Sequence, residues 1–144
     1  MSKGNTFEND LLKLIFNGVA IGNLADNAAA APLTDLYVSL HTADPGEAGD
    51  QTANEAAYTS YARVAVARSG AGWTVTGSSV SPAAEISFPE ATGVADNETV
   101  THWGVGVAPA GAGKLLYSGA VTPNLIVRQA VTPVLSTSTA VTED

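Results

Sequence analysis

The chain has 144 residues, enough for one domain with a buried core, and no cysteine, which excludes disulfides, thiolate metal sites and cysteine nucleophiles. Its 14 acidic and 6 basic residues give a net charge of −8, so it repels phosphate backbones and anionic membranes; no nucleic acid or membrane partner is expected. Hydrophobic residues reach 45% but aromatics only 6%, which points to a thin core of Val, Leu and Ile with a few rings.

The first residues, Met1 to Thr6, lack the apolar stretch of a signal peptide. No apolar run approaches the roughly 20 residues of a membrane span. Asn5 and Glu8 have capping-box spacing and predict a helix start. Phe7, Leu11, Leu14 and Ile15 recur at helical intervals as one apolar face, and Asn17–Gly18 supplies the stop. One short helix cannot hide that face alone, so it packs on the rest of the chain or on a neighbouring subunit. Residues Val19 to Pro32, rich in Ala and Asn, read as a surface connector.

From Asp35 onward the pattern is strand. Leu36, Val38 and Leu40 alternate with Tyr37, Ser39 and His41, the period of a half-buried strand. Asp44–Pro45–Gly46 is a sharp turn, because proline fixes φ and glycine permits positive φ. Thr42 to Ser60 is a long irregular arm carrying Asp44, Glu47, Asp50 and Glu55. A loop of that length is functional or an interface. Further strands are predicted at Ser60–Val66, Trp73–Thr76, Ile86–Phe88, Trp103–Val107, Lys114–Tyr117, Leu125–Arg128 and Val134–Thr142, the last as an edge or as a strand completed by a neighbour. Gly104 and Gly106 leave room for a close backbone approach. Pro123–Asn124 reads as a turn.

About eight short strands with Gly/Pro turns predict an all-β fold, a single jelly-roll-like β-sandwich over 35–144, preceded by an N-terminal amphipathic helix and connector over 1–34. There is no heptad, collagen-like period or internal repeat, hence no fibre shaft.

Catalytic chemistry finds little support. His41 and His102 are the only histidines; each sits in an alternating strand, where a packed or solvated sheet residue is the plainer reading. Asp44, Glu47 and Asp50 offer oxygens to calcium, but not at EF-hand spacing, so a solvated acidic loop is preferred and no metal or cofactor is assigned. Trp73, Trp103, Tyr37 and Tyr117 could form a sugar platform, although Trp103 reads as core. Tyr58 and Tyr61, at the exit of the arm, are the better contacts for a partner.

In order along the chain stand the helix near Phe7, Leu36–Leu40, Asp44–Gly46, Tyr61–Ala62–Arg63, Phe88–Pro89 with Ala91–Thr92, Val100–Thr101–His102 and Leu115–Gly119. This ordered set resembles the small phage proteins usually labelled tail fibre proteins. The resemblance implies a non-enzymatic virion component, made in the host cytoplasm and built into the particle with capsid or tail subunits. A head decoration (cement) protein and a carbohydrate-binding receptor-recognition module are the alternatives. The exposed helix face (Phe7, Leu11, Leu14, Ile15) and the weakly apolar last strand suggest a homo-oligomer, with a trimer favoured. The acidic arm (Asp44, Glu47, Asp50), anchored by Tyr58 and Tyr61, is expected to meet a basic patch on a neighbouring subunit.

Overall fold

The structure is a computed structural model, and the residues described are 5–21 and 31–143. One helix, α1 (Asn5–Asn17), is followed by nine strands: β1 (Asp35–His41), β2 (Val64–Ala67), β3 (Trp73–Thr76), β4 (Ser79–Pro82), β5 (Ile86–Ser87), β6 (Asn97–Gly106), β7 (Leu115–Arg128), β8 (Val134–Leu135) and β9 (Val141–Thr142). The all-β class with one N-terminal helix is as the sequence predicts. The strands form three sheets, ordered β2-β1-β6-β7, β3-β4-β9 and β5-β8. Two compact units result: one from Met1–Asp35, Val66–Glu85 and Ser136–Asp144, the other from Leu36–Ala65 and Ile86–Leu135.

In the first unit α1 packs on β3 and β4. At 13 residues the helix is marginal by itself, so packing must hold it. Its buried line is Glu8, Leu12 and Phe16, at four-residue intervals. Phe16 meets Trp73 edge-on, with ring centroids 4.8 Å apart. Val80, also buried, pairs with Val141. The expected apolar face lies beside this line: Phe7 is 41% exposed, and Leu11, Leu14 and Ile15 are half-buried. Leu11, Leu12, Leu14, Ile15 and Phe16 offer two overlapping apolar faces, and the Phe16–Trp73 contact selects between them. Gly18, at φ +66°, ends the helix as predicted. Arg68 then caps it, donating from Nη2 to Leu14 O and from Nε to Ile15 O, both at 2.6 Å.

In the second unit β1, β6 and β7 run antiparallel. Val38 faces Val105 and Leu40 faces Trp103; Val105 in turn faces Tyr117. Leu36, Val38, Leu40, Val105 and Val127 are almost wholly buried. The β5–β8 ribbon pairs Ile86 with Leu135. Two sequence expectations are corrected. Pro123–Asn124 is no turn: β7 runs through it, and residues 121–124 bulge out opposite Thr101, where proline's missing N–H costs no ladder bond. Val134 to Thr142 is not one strand but two short ones, each paired within its own unit and each at the edge of its sheet. β4 was not anticipated, because Ser79–Val80–Ser81–Pro82 has only one large apolar residue.

β1 departs from half-burial: Val38 to His41 are all buried. Its polar face is covered too, by the arm.

Candidate functional site

The polar face of β1 carries Ser39 and His41, both wholly buried. Across the sheet they meet Gly104 and His102. The side-chain gap at Gly104 is what seats them: a Cβ there would stand 2.9 Å from His41 Nε2 and 2.7 Å from Leu115 Cδ1. His41 Nδ1 lies 2.8 Å from Ala53 O, which accepts only, so the proton is assigned to Nδ1. The Ser39 hydroxyl then donates to Nε2 at 2.9 Å. Burial holds the His41 pKa below its usual 6.5. A Ser–His pair therefore exists, but it is closed to any substrate.

The arm folds back over this face. Thr42 N donates to Asn54 O and Ala56 N to Leu40 O, each at 2.8 Å. Gln51, wholly buried, lies in the slot left by Gly106 and Gly113, where a Cβ would collide with its amide. Its Oε1 accepts from Ala108 N at 2.9 Å. Glu55 faces Arg63, whose Nε and Nη2 donate to Oε1 and Oε2 at 2.6 and 2.7 Å. Arg63 also donates to Ala108 O and Gly111 O, so one guanidinium ties the arm to the 107–114 hairpin loop. The Glu55 hydrogen bonds and charge raise the Arg63 pKa further.

Two more carboxylates fasten the exit of the arm. Glu98 accepts from Ala57 N and Tyr58 N, and Asp96 from Thr59 N, the Thr59 hydroxyl and Gly93 N. The Thr59 amide leads the causes that hold the Asp96 pKa below the usual carboxylate value. Tyr58 and Tyr61, read from sequence as partner contacts, turn inward. Tyr58 is 3% exposed and donates to Pro89 O at 2.9 Å. Burial, with Glu98 and Asp96 adding to it, pushes its pKa up to about 12. Tyr61 donates to Glu55 Oε1, accepts from Leu40 N and stacks on Phe88, and burial raises its pKa as well.

Asp44, Glu47 and Asp50 are at the other end of the arm. Asp44 Oδ1 accepts from Gly46 N, and Asp50 Oδ1 accepts from Thr52 N and its hydroxyl. These local bonds, the Thr52 hydroxyl first, lower the Asp50 pKa. Among the described residues no group of three His, Asp or Glu side chains is placed to hold a metal ion. Asp44 and Glu47 do converge elsewhere: with Gly46, Gly49 and Leu115 to Ser118 they line an open groove of about 440 Å³. The helix residues Phe7, Leu11, Leu14 and Ile15 belong to the first unit and the arm residues to the second.

Gln51, Asp96 and Glu98 were not singled out from sequence; Glu55 was read only as one of the arm's acidic residues, and Arg63 and Leu115–Gly119 only as parts of the ordered motif set. The Gly104-x-Gly106 spacing was the available signal, since two missing side chains on one strand face imply that something else fills it.

A protein-family profile described as podophage GP4 fiber I protein gp80 matches residues 2–142. No curated protein matches the chain.

Proposed function

The chain belongs to the podophage GP4 fiber I protein gp80 family, and from that premise we propose that it works as a non-enzymatic subunit of the particle surface, attached to other virion proteins. The observation that carries this is the near end-to-end family match. The fate of the reactive side chains agrees with it. His41 and Ser39 are sealed under the arm, and Glu55, Asp96 and Glu98 are engaged by Arg63 or by main-chain N–H groups.

Two surfaces suit attachment. One is the helix, where Phe7 is exposed and Leu11, Leu14 and Ile15 are half-buried. This is a modest apolar patch of the kind that a homotrimer would cover. The other is the acidic end of the arm, Asp44 and Glu47, with Asp50 behind them. Its charge suits a basic neighbour. A position on the tail is the reading the family description supports. A cement protein on the head would use the same two surfaces. Mass spectrometry of gradient-purified particles tests the proposal: the chain should be present in fixed stoichiometry to the major capsid protein, and its absence from particles would refute it.

A further inference from the structure

Asp44–Pro45 is the one Asp–Pro bond of the chain, and the fold sets a carboxyl beside it and a donor on its carbonyl. Gly46 N donates to Asp44 Oδ1 at 2.8 Å, so the side chain folds back over the peptide link that follows it. Asn54 Nδ2 donates to the Asp44 carbonyl oxygen at 3.0 Å. A carbonyl only accepts, so the amide must present its nitrogen there. Asp44 and Asn54 are both exposed, which gives water access. Glu47 and Tyr117 are the titratable groups that share the groove of Asp44, and no Lys or Arg lines it.

Asn54 is held for this contact. Its φ is +53°, in the left-handed region that few residues with a side chain adopt. Thr42 fixes it there, donating to Asn54 O from N at 2.8 Å and from Oγ1 at 3.2 Å. Backbone conformations of this kind gather at functional sites. Proline closes the ordinary side reaction of an aspartate: Pro45 has no N–H, so its nitrogen cannot attack Asp44 Cγ. The attack that remains runs the other way, from the carboxyl onto the Asp44 carbonyl carbon.

We infer that Asp44–Pro45 is a self-cleaving bond, cut by the Asp44 carboxyl with Asn54 as the oxyanion donor. Asp44 Oδ2 bonds to the Asp44 carbonyl carbon and closes a five-membered ring. The carbonyl oxygen becomes an oxyanion against Asn54 Nδ2–H. The carbon–nitrogen bond then breaks, and the Pro45 nitrogen leaves as a secondary amine with the proton that the carboxyl carried. Water opens the cyclic anhydride, which restores the side-chain carboxyl and leaves a new C-terminal carboxyl on Asp44. The sum is hydrolysis of one peptide bond, once per chain and without turnover. The cut frees the acidic turn from β1, while β1 stays paired with β6 from Tyr37 to His41.

The test holds the purified full chain at about pH 4.5, within reach of carboxyl protonation, and follows it by intact mass spectrometry. Fragments 1–44 and 45–144 should form, and faster as pH falls, because the leaving nitrogen takes the carboxyl proton. The folded chain should cut about tenfold faster, or more, than the same chain in urea, which keeps the bond but loses the donor. Asn54→Gly keeps the left-handed backbone and removes the amide, so it should slow the cut by about tenfold or more. A mere tie on the arm would change stability to urea and leave the rate alone. Asp44→Ala should leave the chain intact. No fragments from the folded chain, equal rates folded and in urea, full-speed cutting by Asn54→Gly, or continued cutting by Asp44→Ala would each overturn self-cleavage.

Discussion

Arg63 grips Glu55 through two parallel hydrogen bonds, Nε to Oε1 at 2.6 Å and Nη2 to Oε2 at 2.7 Å. The Arg63 side chain is 2% exposed and that of Glu55 17%. This pair connects the arm, the strand after it and the hairpin loop at Ala108 and Gly111. It is one of several ties on the long irregular arm, beside the His41–Ala53 and Gln51–Ala108 hydrogen bonds.

Removing one partner leaves the other charge buried and unpaired. Glu55→Gln should destabilise folding by about 2–4 kcal/mol, and Arg63→Lys by nearly as much, because lysine cannot reproduce the fork. Urea unfolding measures this. A loss below about 0.5 kcal/mol, the scale of exposed pairs, would show that solvent reaches the bridge.

Gly106→Ala puts a methyl group into the Gln51 amide. The expected cost is about 1–3 kcal/mol, from displacing a buried side chain that holds Ala108 N. Gln51→Ala in the same chain should cost less than the two single changes added together, since one contact is lost only once. Strict additivity would mean that Gln51 does not occupy the slot.

His41 makes stability depend on pH. Its folded pKa lies below the 6.5 of the unfolded chain. Below that value the unfolded state binds more protons, so the His41 contribution is complete above pH 6.5 and is lost as pH falls through the folded pKa. His41→Asn should flatten the stability profile just below pH 6.5, and the ring resonances of His41 should titrate below 6.5. Titration above 6.5 would contradict the assigned burial and tautomer.

Phe7 is 41% exposed at the start of α1, away from the Leu12–Phe16 line. Phe7→Asp should therefore leave folding within about 0.5 kcal/mol of wild type while reducing incorporation into particles. Equal incorporation would remove the helix from the set of attachment surfaces.

The sequence made visible what local chemistry decides. Period-2 runs placed β1, β2 and the Trp103–Val105 row, Gly18 stopped the helix, and Gly104 and Gly106 announced a close approach. What it concealed depends on long-range partners. The alternation of β1 suggested a wet face, yet the arm dries it, because Ser39 and His41 satisfy each other and Ala53 O. Tyr58 and Tyr61 read as exposed anchors beside a loop, but Pro89 O, Glu55 and Leu40 N take their hydroxyls inward. Pro123–Asn124 looked like a turn because a bulge and a turn share the same residues. The groove was not legible at all: its two walls, Asp44–Gly49 and Leu115–Ser118, are far apart in sequence and meet only through the fold.

The central claim is that this chain is a structural subunit of the virion surface. Cryo-microscopy of intact particles tests it most directly. The account predicts density fitting the two units at symmetry-related surface positions, in a fixed copy number, with Phe7 or the Asp44–Glu47 wall against a neighbouring protein. Particles that infect normally and contain no density or peptide of this chain would contradict it.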